Sequence, residues 1–320
     1  MGLLSDDEHP ELVPLTGGVS SDIWRLDTAN GPVCVKRALA QLRTEKEWHA
    51  PVSRNAAEAD WIRTAAEIVP RAVPTLLAED RERGLFAMTF LDPDRYPVWK
   101  SELRDGRISE DTAAAVGFTL GRIHAHTAGD ADVAARFAND DTFHAIRLAP
   151  YLLTTAAAHP DLAPVLEGLA ATTADTRRVL VHGDVSPKNI LIGPDGPVLL
   201  DAECAWYGDP AFDLAFCLNH LLLKCIWRPQ WTEDYLRAFA ALAAAYLRHV
   251  DWEETAGMEA RTVALLPGLL LARIDGTSPV EYITEDTGRD RVRGAARALL
   301  TRPASTLAGV VRSYREDTFE

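Results

Sequence analysis

HGDVSPKN occupies residues 182–189, and LLDAE follows at residues 199–203. Between them lie two apolar runs, ILIG (190–193) and VLLD (198–201), which are joined by a Pro-Asp-Gly sequence. A Pro-Asp-Gly turn between two apolar runs predicts a β-hairpin. The two polar stretches are therefore expected to flank one hairpin and to lie close together in the folded protein.

The spacing of Asp and Asn in these stretches carries the most specific chemical signal. Asp184 can reach a substrate hydroxyl, while Asn189 and the strand-terminal Asp201 offer oxygen ligands to Mg²⁺, which favours one or two carboxylates plus phosphate oxygens. The catalytic loop of kinases has the same interval between its Asp and its Asn, ahead of a metal-binding Asp. His182 is expected to make structural hydrogen bonds and not to act as a base. The alternative is a polar turn followed by an ordinary strand end.

The composition limits the classes of partner. The chain has 320 residues, of which 47% are hydrophobic, so it can bury a large core in two lobes or one large domain. Its net charge of −14 disfavours nucleic acid and anionic membranes, and fits a cationic ligand slightly better than an anionic one. The four cysteines show no zinc spacing and are expected to be reduced. The N-terminus has no signal-peptide pattern and no apolar run could span a bilayer, so a cytoplasmic location is expected.

Hydrophobic periodicity divides the chain near residue 91. The first part predicts a small antiparallel sheet with a helix, from strand-like runs at 12–16, 22–26, 32–38, 75–79 and 84–90 and a helical stretch at 42–69. The second part predicts helices at 109–127, 143–157, 211–225, 231–249, 253–273 and 287–301. We therefore expect an α+β fold, with a nucleotide-binding lobe over residues 1–91 and a helical lobe over residues 92–320 that carries the catalytic loop and the acceptor site.

Taken together, these motifs resemble the small-molecule kinases with a protein-kinase-like fold, which include aminoglycoside phosphotransferases, choline kinases and methylthioribose kinases. The resemblance covers nearly the whole chain. It implies a bilobal fold that binds ATP, with GTP as an alternative, and transfers the γ-phosphoryl group to a small-molecule hydroxyl. It makes Asp184 the catalytic aspartate and Asn189 and Asp201 the Mg²⁺ ligands. Asp213, in PAFDLAF, is similar to the aspartate that braces the catalytic loop in this family; the alternative is a plain helix N-cap.

One motif departs from the aminoglycoside branch of this family. Aminoglycoside phosphotransferases usually carry Asp-x-Gly at the metal site, whereas this chain has Asp201-Ala-Glu203. The pattern is more similar to the Asp-x-Glu of methylthioribose kinases. Glu203 is accordingly a candidate second carboxylate at the metal.

The nucleotide side of the site is expected in the first lobe. TGGVSSD (16–22) lies between two strand-like runs, and its small residues let backbone N–H groups approach phosphate oxygens. The candidate phosphate-binding residues are Gly17, Gly18, Ser20 and Ser21. The alternative is a hairpin turn without a ligand.

Four further nucleotide-binding residues follow from the resemblance. Lys36, in VCVKRA, becomes the lysine that pairs with the α- and β-phosphates; otherwise it is an exposed strand lysine. Glu58, in NAAEADWI, is preferred over the other glutamates of its helical stretch as the partner of this lysine. Met88 and Phe90, in MTFLD, are the expected hinge that meets adenine.

The acceptor site is the least specific part of the pattern. Trp99 and His124 are two candidate substrate residues. Trp99 could stack on a sugar or base, or pack in the core, whereas the alternative for His124 is to satisfy or cap a helix end, which is favoured over metal binding. Arg273 and Asp275 are expected in a loop, in a segment that resembles the substrate-side arginine segment of methylthioribose kinases. An arginine favours an anionic or hydroxyl-rich acceptor, whereas Asp275 and Glu281 favour an amine, and the sequence leaves both open.

The sequence thus predicts a Mg²⁺-dependent phosphotransferase. The favoured acceptor is an antibiotic of aminosugar or nucleoside type, which would give resistance by modification. The alternatives are a metabolic kinase for a sugar, a methylthioribose-like compound or an amino alcohol, and a protein kinase or pseudokinase. A protein kinase is disfavoured because the HGD loop has no HRD arginine and no APE element follows; a pseudokinase is disfavoured because Lys36 and Asp184 are retained. No oligomeric state is predicted.

Overall fold

The computed structural model describes residues 11–15, 21–39 and 54–319. The N-terminal part is a five-stranded antiparallel sheet, in the order β1-β2-β3-β5-β4, with one helix. The elements are β1 Leu12–Pro14, β2 Ser21–Thr28, β3 Gly31–Ala38, α1 Arg54–Ile68, β4 Leu76–Asp80 and β5 Leu85–Thr89. The predicted antiparallel sheet is confirmed. The helical stretch predicted at 42–69 is a helix from Arg54 onward, and residues 40–53 lie outside the described part of the chain.

The remainder of the described chain is mostly helical, which confirms the α+β prediction. In chain order its elements are α2 Trp99–Arg104, α3 Glu110–Thr127, α4 Ala131–Arg136, α5 Asp140–Phe143, a π-helix His144–Leu153, α6 Thr154–Ala158, α7 Ala163–Asp175, β6 Val179–Val181, a 3₁₀ turn Pro187–Asn189, β7 Ile190–Gly193, β8 Gly196–Leu199, β9 Trp206–Gly208, α8 Pro210–Trp227, a 3₁₀ turn Pro229–Trp231, α9 Thr232–Leu247, α10 Thr255–Asp275, α11 Asp286–Thr301 and α12 Leu307–Phe319.

The stretch predicted to be helical at 143–157 is helical, but it is not an α-helix throughout. Residues His144–Leu153 form a π-helix, and α6 follows it. Pro150 lies inside this segment, and a proline has no backbone N–H to donate to the carbonyl four residues earlier. Pro150 therefore interrupts the α-helical hydrogen-bond pattern within this segment. Strands β6 and β9 were also not predicted, because three residues are too few to show a period of two.

Helix α8 lies at the centre of the helical part. Every residue from Pro210 to Cys225 is buried, and the helix packs against α9, α10, α11 and β6. A helix that is apolar on all sides belongs in a core. Three ionisable residues nevertheless occupy it, namely Asp213, His220 and Lys224, and each is less than a tenth exposed. Buried ionisable groups are rare unless they are paired or functional, so these positions need an explanation.

The predicted hairpin forms and joins the two parts of the chain. Strands β7 and β8 pair with Ile190 opposite Leu199, as an antiparallel ladder. The backbone N–H of Ile192 donates to the Pro97 carbonyl (2.9 Å), and that of Leu199 donates to the Ala72 carbonyl (2.8 Å). These hydrogen bonds fix the base of the hairpin beneath the five-stranded sheet. None of the described helices is both long and apolar enough to span a membrane.

Candidate active site

Lys36 is the central contact between the sheet and the hairpin. Side chains alternate along β3, so Lys36 lies on the same face as Cys34 and Ala38, and it is only 2% exposed. Its Nζ donates to Glu58 Oε2 on α1 (2.6 Å) and also to Asp201 Oδ1. The lysine is therefore buried between two carboxylates and is not an exposed strand residue.

The charges of this group are mutually dependent. Burial disfavours a charged lysine, but Asp201 and Glu58 outweigh it and hold the pKa of Lys36 above its ordinary value. Burial likewise opposes ionisation of Asp201, but Lys36 and Lys188 hold its pKa below the ordinary value. For Glu58, burial dominates and raises the pKa despite the adjacent ammonium. Asp201 is therefore a firmly ionised carboxylate, as a cation ligand must be.

The catalytic loop predicted at 182–189 is held by Asp213. The Asp213 carboxylate accepts hydrogen bonds from the backbone N–H groups of His182 (2.7 Å) and Gly183 (2.8 Å). Asp213 is fully buried, and the N-cap of α8 is Asp209 instead, whose carboxylate accepts from Ala211 N–H (3.0 Å). Gly183 has a φ of +81°, and a Cβ there would lie 2.8 Å from the Cys204 carbonyl oxygen. A glycine is therefore required at this turn.

The imidazole of His182 makes its hydrogen bonds to backbone groups alone within the described residues. Its Nδ1 accepts from the Asp184 N–H (3.1 Å), and its Nε2 faces the Leu200 carbonyl (3.1 Å). Burial lowers the pKa of the imidazole below its ordinary value, against the opposing effect of Asp213. A neutral ring that donates from Nε2 satisfies both contacts. This geometry supports the structural role predicted for His182.

Asp184 lies within this loop and contacts two cations. Its Oδ2 lies 3.0 Å from Arg147 Nη2 and 3.4 Å from Lys188 Nζ. Arg147 is 5% exposed, belongs to the π-helix, and also donates from Nε to the Gly183 carbonyl. Lys188 is half-exposed. The carboxylate of Asp184 is therefore nearly buried, at 6% exposure, and is held between these two cations.

Asn189 and Asp201 lie at the two ends of the hairpin base. The Leu200 N–H donates to the Asn189 carbonyl (2.9 Å), which keeps the two segments adjacent. Asn189 Nδ2 donates to the Asp184 carbonyl (3.1 Å), so its amide oxygen is left for another partner. Asp201 has a φ of +69°, and is the sole non-glycine residue of the described chain with a positive φ. Such strain at a non-glycine residue is a mark of functional sites.

This donor set fits Mg²⁺ and not a metal that needs an all-protein cage. An ionised carboxylate and an amide oxygen face the same cleft, and Mg²⁺ commonly takes one or two carboxylates with phosphate oxygens. Within the described residues no group of three or more His, Cys, Asp or Glu side chains could hold a metal by itself. Glu203 is engaged elsewhere: its Oε2 lies 3.0 Å from Nε of the buried Arg54.

A cleft of about 440 Å³ lies between the sheet and the hairpin. Its walls include Lys36, Met88, Phe90, Asn189 and Asp201, so the structure brings these predicted residues together. The volume is typical of a small-molecule site.

One predicted phosphate-binding residue also lines this cleft. Ser21 is 1% exposed, and its Oγ has no hydrogen-bond partner within the described part of the chain. Gly17, Gly18 and Ser20 lie outside the described residues.

Comparison with known proteins assigns the chain to a family. A family model described as the phosphotransferase enzyme family matches residues 11–258. The chain belongs to this family. It is 26% identical over 218 residues to a methylthioribose kinase of Pectobacterium atrosepticum, covering 60% of this chain and 54% of that protein. The chain thus spans little more than half the length of the curated relatives that it matches.

Solved structures of other small-molecule kinases share the fold. A choline kinase from Cryptosporidium parvum superposes with a TM-score of 0.57 at 13% identity, over 93% of this chain and 92% of that one. An amicoumacin kinase in complex with AMP-PNP and Ca²⁺ gives 0.56 at 13% identity, over 95% and 91%. At this identity the likeness establishes the protein-kinase-like fold alone.

The acceptor candidates are only partly brought to the site. Trp99 (1% exposed) packs in the core, and so does His124 (0%), which contacts Asp213 Oδ2 (3.3 Å) and the Tyr246 hydroxyl (2.8 Å). Both predictions of a substrate contact are therefore corrected, because neither side chain reaches a surface. Asp275 is paired with Arg293 (2.8 Å) and His159 (2.9 Å) at the end of α10, and is not a free carboxylate.

Arg273 is the acceptor candidate that stays near Asp184. It lies in the last turn of α10, in a helix and not in the predicted loop. Its Nη1 donates to the Tyr151 hydroxyl (3.2 Å). The Tyr151 ring in turn lies 5.8 Å from the guanidinium carbon of Arg147. A chain of contacts therefore links Arg273 to the cation that holds Asp184.

Four basic residues of this region were not predicted from the sequence, namely Arg147, Lys188, His220 and Lys224. A signal exists for two of them. His220 and Lys224 are four apart within the apolar run LNHLLLKC, so they share one helix face, and basic residues inside a fully apolar helix are uncommon. Arg147 gives no such signal, because its position depends on the π register of its helix.

Proposed function

We propose that this protein is an ATP-dependent O-phosphotransferase that moves the γ-phosphoryl group to a hydroxyl of a small molecule. The observation that carries the proposal is the convergence of Lys36, Asn189 and Asp201 on one cleft, with Asp184 directly adjacent. We propose that residues 1–91 bind the nucleotide and residues 92–320 carry the catalytic loop and the acceptor site. Membership of the phosphotransferase enzyme family supports this assignment.

The chemistry follows from the position of each side chain. Lys36, fixed by Glu58, binds the α- and β-phosphates, while Met88 and Phe90 pack against the adenine. Asp184 orients the acceptor hydroxyl and accepts its proton as the oxygen attacks the γ-phosphorus. Arg147 and Lys188 lie against Asp184 and stabilise negative charge at the transferring group. Positioning and electrostatics thus supply most of the rate, as is usual for phosphoryl transfer.

Asn189 and Asp201 are the residues that would hold Mg²⁺. When bound, the cation neutralises phosphate charge. The amicoumacin kinase was solved with AMP-PNP and Ca²⁺, which supports a nucleotide and a divalent cation in this fold. Glu203 is a weaker candidate ligand, since Arg54 already neutralises it.

Two acceptor classes remain in competition. An antibiotic is the acceptor favoured by the sequence prediction, and the similarity to an amicoumacin kinase is compatible with it. A metabolic sugar-like acceptor is favoured by the methylthioribose kinases among the relatives and by the Asp201-Ala-Glu203 sequence.

An acceptor screen tests the proposal. ADP release is followed with Mg²⁺-ATP, and separately Mg²⁺-GTP, across antibiotics, methylthioribose, sugars, hydroxy acids, choline and a peptide pool. Asp184→Asn serves as the blank because it preserves volume while removing the base. We expect an acceptor-dependent rate that the blank lowers by ~10²–10⁴. An acceptor-dependent rate that persists in the blank, or a preference for the peptide pool, would overturn the proposal.

A further inference from the structure

A cluster of basic side chains extends from Asp184 into the helical part. We define this acceptor-side cluster as Lys100, Arg147, Lys188, His220, Lys224 and Arg273. Two carboxylates form ion pairs within it: Asp184 with Arg147 and Lys188, and Glu281 with Lys100. Lys224 and Arg273 form no ion pair among the described residues. The cluster therefore has an excess of positive charge, although the chain as a whole carries −14.

Several members of the cluster are connected through the Phe216 ring and along helix α8. The guanidinium carbon of Arg147 lies 5.9 Å from the centroid of the Phe216 ring, and that ring lies 5.5 Å from the His220 ring. Lys224 follows His220 by one helical turn on the same face of α8. The cluster thus begins at Asp184 and follows one side of α8 toward Lys224.

Lys224 is the most unusual member. It is 1% exposed, and its ammonium lies over two rings, 4.8 Å from the centroid of Tyr282 and 5.2 Å from that of Trp227. The two rings are stacked on each other at 4.3 Å. Burial, together with the charges of Lys100 and Arg273, lowers the pKa of Lys224 to about 7. A buried cation without a counterion destabilises a fold, so its presence here calls for a ligand that compensates it.

Other polar groups of this region also lack partners. Arg273 Nε and the Tyr282 hydroxyl are buried without a hydrogen bond among the described residues. Both are donors, as is the ammonium of Lys224. Nη1 of Arg273 already donates to the Ser278 carbonyl and to the Tyr151 hydroxyl, so its unsatisfied donor is Nε. Buried donors that lack acceptors favour an anion over a cation or an apolar group.

We propose that the acceptor hydroxyl belongs to an anionic compound, whose carboxylate or phosphate binds Lys224 and Arg273 while the hydroxyl lies at Asp184. This inference rests on the proposed function, because it treats the space beside Asp184 as the acceptor site. It also answers the question that the sequence left open. Asp275 and Glu281, which favoured an amine, are already neutralised by Arg293 and Lys100. An aminosugar would meet a field of its own sign.

Anion binding to the intact protein tests the inference, and the identity of the natural acceptor is not needed for this experiment. The nucleotide cleft is first saturated with Mg²⁺-AMP-PNP, so that an anion cannot bind there. Calorimetry then compares matched probes: ribose 5-phosphate with ribose, gluconate with sorbitol, and glucosamine as the cation. The two anionic arms separate a phosphate from a carboxylate. We expect at least one anion to bind about tenfold or more tightly than its neutral counterpart, as one charge-assisted contact provides.

Two variants locate the effect. Lys224→Met keeps the length of the side chain and removes the charge, and is expected to abolish most of the preference for the anion. Arg228→Met is the control, because Arg228 lies over the same Trp227 ring (4.9 Å) but is only half-buried. It should leave the preference unchanged within about twofold.

A second readout is specific to the charge of Lys224. Because its pKa is about 7, an anion that binds beside it at pH 7 should draw about half a proton from the buffer. Calorimetry in two buffers of different ionisation enthalpy measures that proton, and Lys224→Met should not take it up. Anions that bind no tighter than their neutral counterparts, or a preference that survives in Lys224→Met, would overturn the inference. If Mg²⁺-AMP-PNP itself does not bind, both the proposed function and this inference fail.

Discussion

Nη2 of Arg147 lies 3.0 Å from Oδ2 of Asp184, and Nε of the same guanidinium donates to the Gly183 carbonyl. One buried side chain therefore holds both the backbone and the carboxylate of the loop that carries the proposed catalytic aspartate. Arg147 comes from a π-helix that is 36 residues away in sequence. This contact joins the loop to the helical part at the point where the acceptor is proposed to bind.

We expect Arg147→Lys to lower kcat while leaving the KM for ATP nearly unchanged. A lysine keeps the charge but cannot hold the carbonyl and the carboxylate together, because it has no planar fork of donors. The loss should be about tenfold or more, the effect of about 1.4 kcal/mol in the transition state. Steady-state kinetics with the melting temperature as a control measure it. A rise in the KM for ATP with an intact kcat would show that Arg147 acts on the nucleotide.

We expect Asp201→Asn to raise the Mg²⁺ concentration required for nucleotide binding by about tenfold or more, since a neutral amide is a weaker ligand. Titration of Mg²⁺ at fixed AMP-PNP measures the change. Glu203→Gln is the matched comparison, because Glu203 pairs with Arg54 in the described structure. A small effect of Glu203→Gln would leave one carboxylate at the metal, whereas an effect equal to that of Asp201→Asn would make Glu203 a second ligand.

Asp213→Asn should destabilise the fold by about 2–4 kcal/mol. An amide offers one acceptor oxygen where the carboxylate accepts from two buried N–H groups, of His182 and Gly183. Urea denaturation measures the free energy of unfolding. Asp130→Asn is the control, because Asp130 is an exposed N-cap and asparagine caps a helix equally well. Equal stabilities of the two variants would argue that the Asp213 contacts are energetically unimportant.

Lys224→Met should stabilise the unliganded protein by about 1–4 kcal/mol near pH 6, because it removes an unpaired buried charge. The folded pKa of Lys224, about 7, lies below its ordinary value of 10.5, so between these values the unfolded state binds one more proton than the folded state. The stability of the wild type therefore rises with pH relative to the variant. The gap should be largest below pH 7 and should narrow toward pH 10.

The charged neighbours of Lys224 are Lys100, Glu281 and Arg273, together with the Cys217 thiol. These neighbours titrate in both proteins, so their contributions to the free energy of unfolding cancel to first order when wild type and variant are compared at the same pH. Urea denaturation at pH 6, 7.5 and 9 measures the gap. A gap that stays constant over this range would mean that Lys224 is not a buried, depressed base.

The chemistry of the proposed catalytic loop and the order of the main elements could be predicted from the order of the residues. The Asp184 to Asn189 interval, the Pro-Asp-Gly hairpin and Asp201 are local in sequence, and local spacing fixes which side chains one turn can present together. The periodic helices and strands were likewise predictable, because a buried face imposes its period on the residues that form it.

The distant side chains that complete the site could be identified only from the tertiary structure. Arg147 approaches Asp184 because a π-helix with an internal proline directs it there, and no sequence period predicts that register. Trp99 and His124 look like ligand residues in the sequence but are enclosed by the helices that pack over them. Lys224 lies in an apolar run of the sequence. Only the folded structure shows that, among the described residues, no carboxylate forms an ion pair with it. Pairing across a folded core is a property of packing, which the order of residues along the chain does not display.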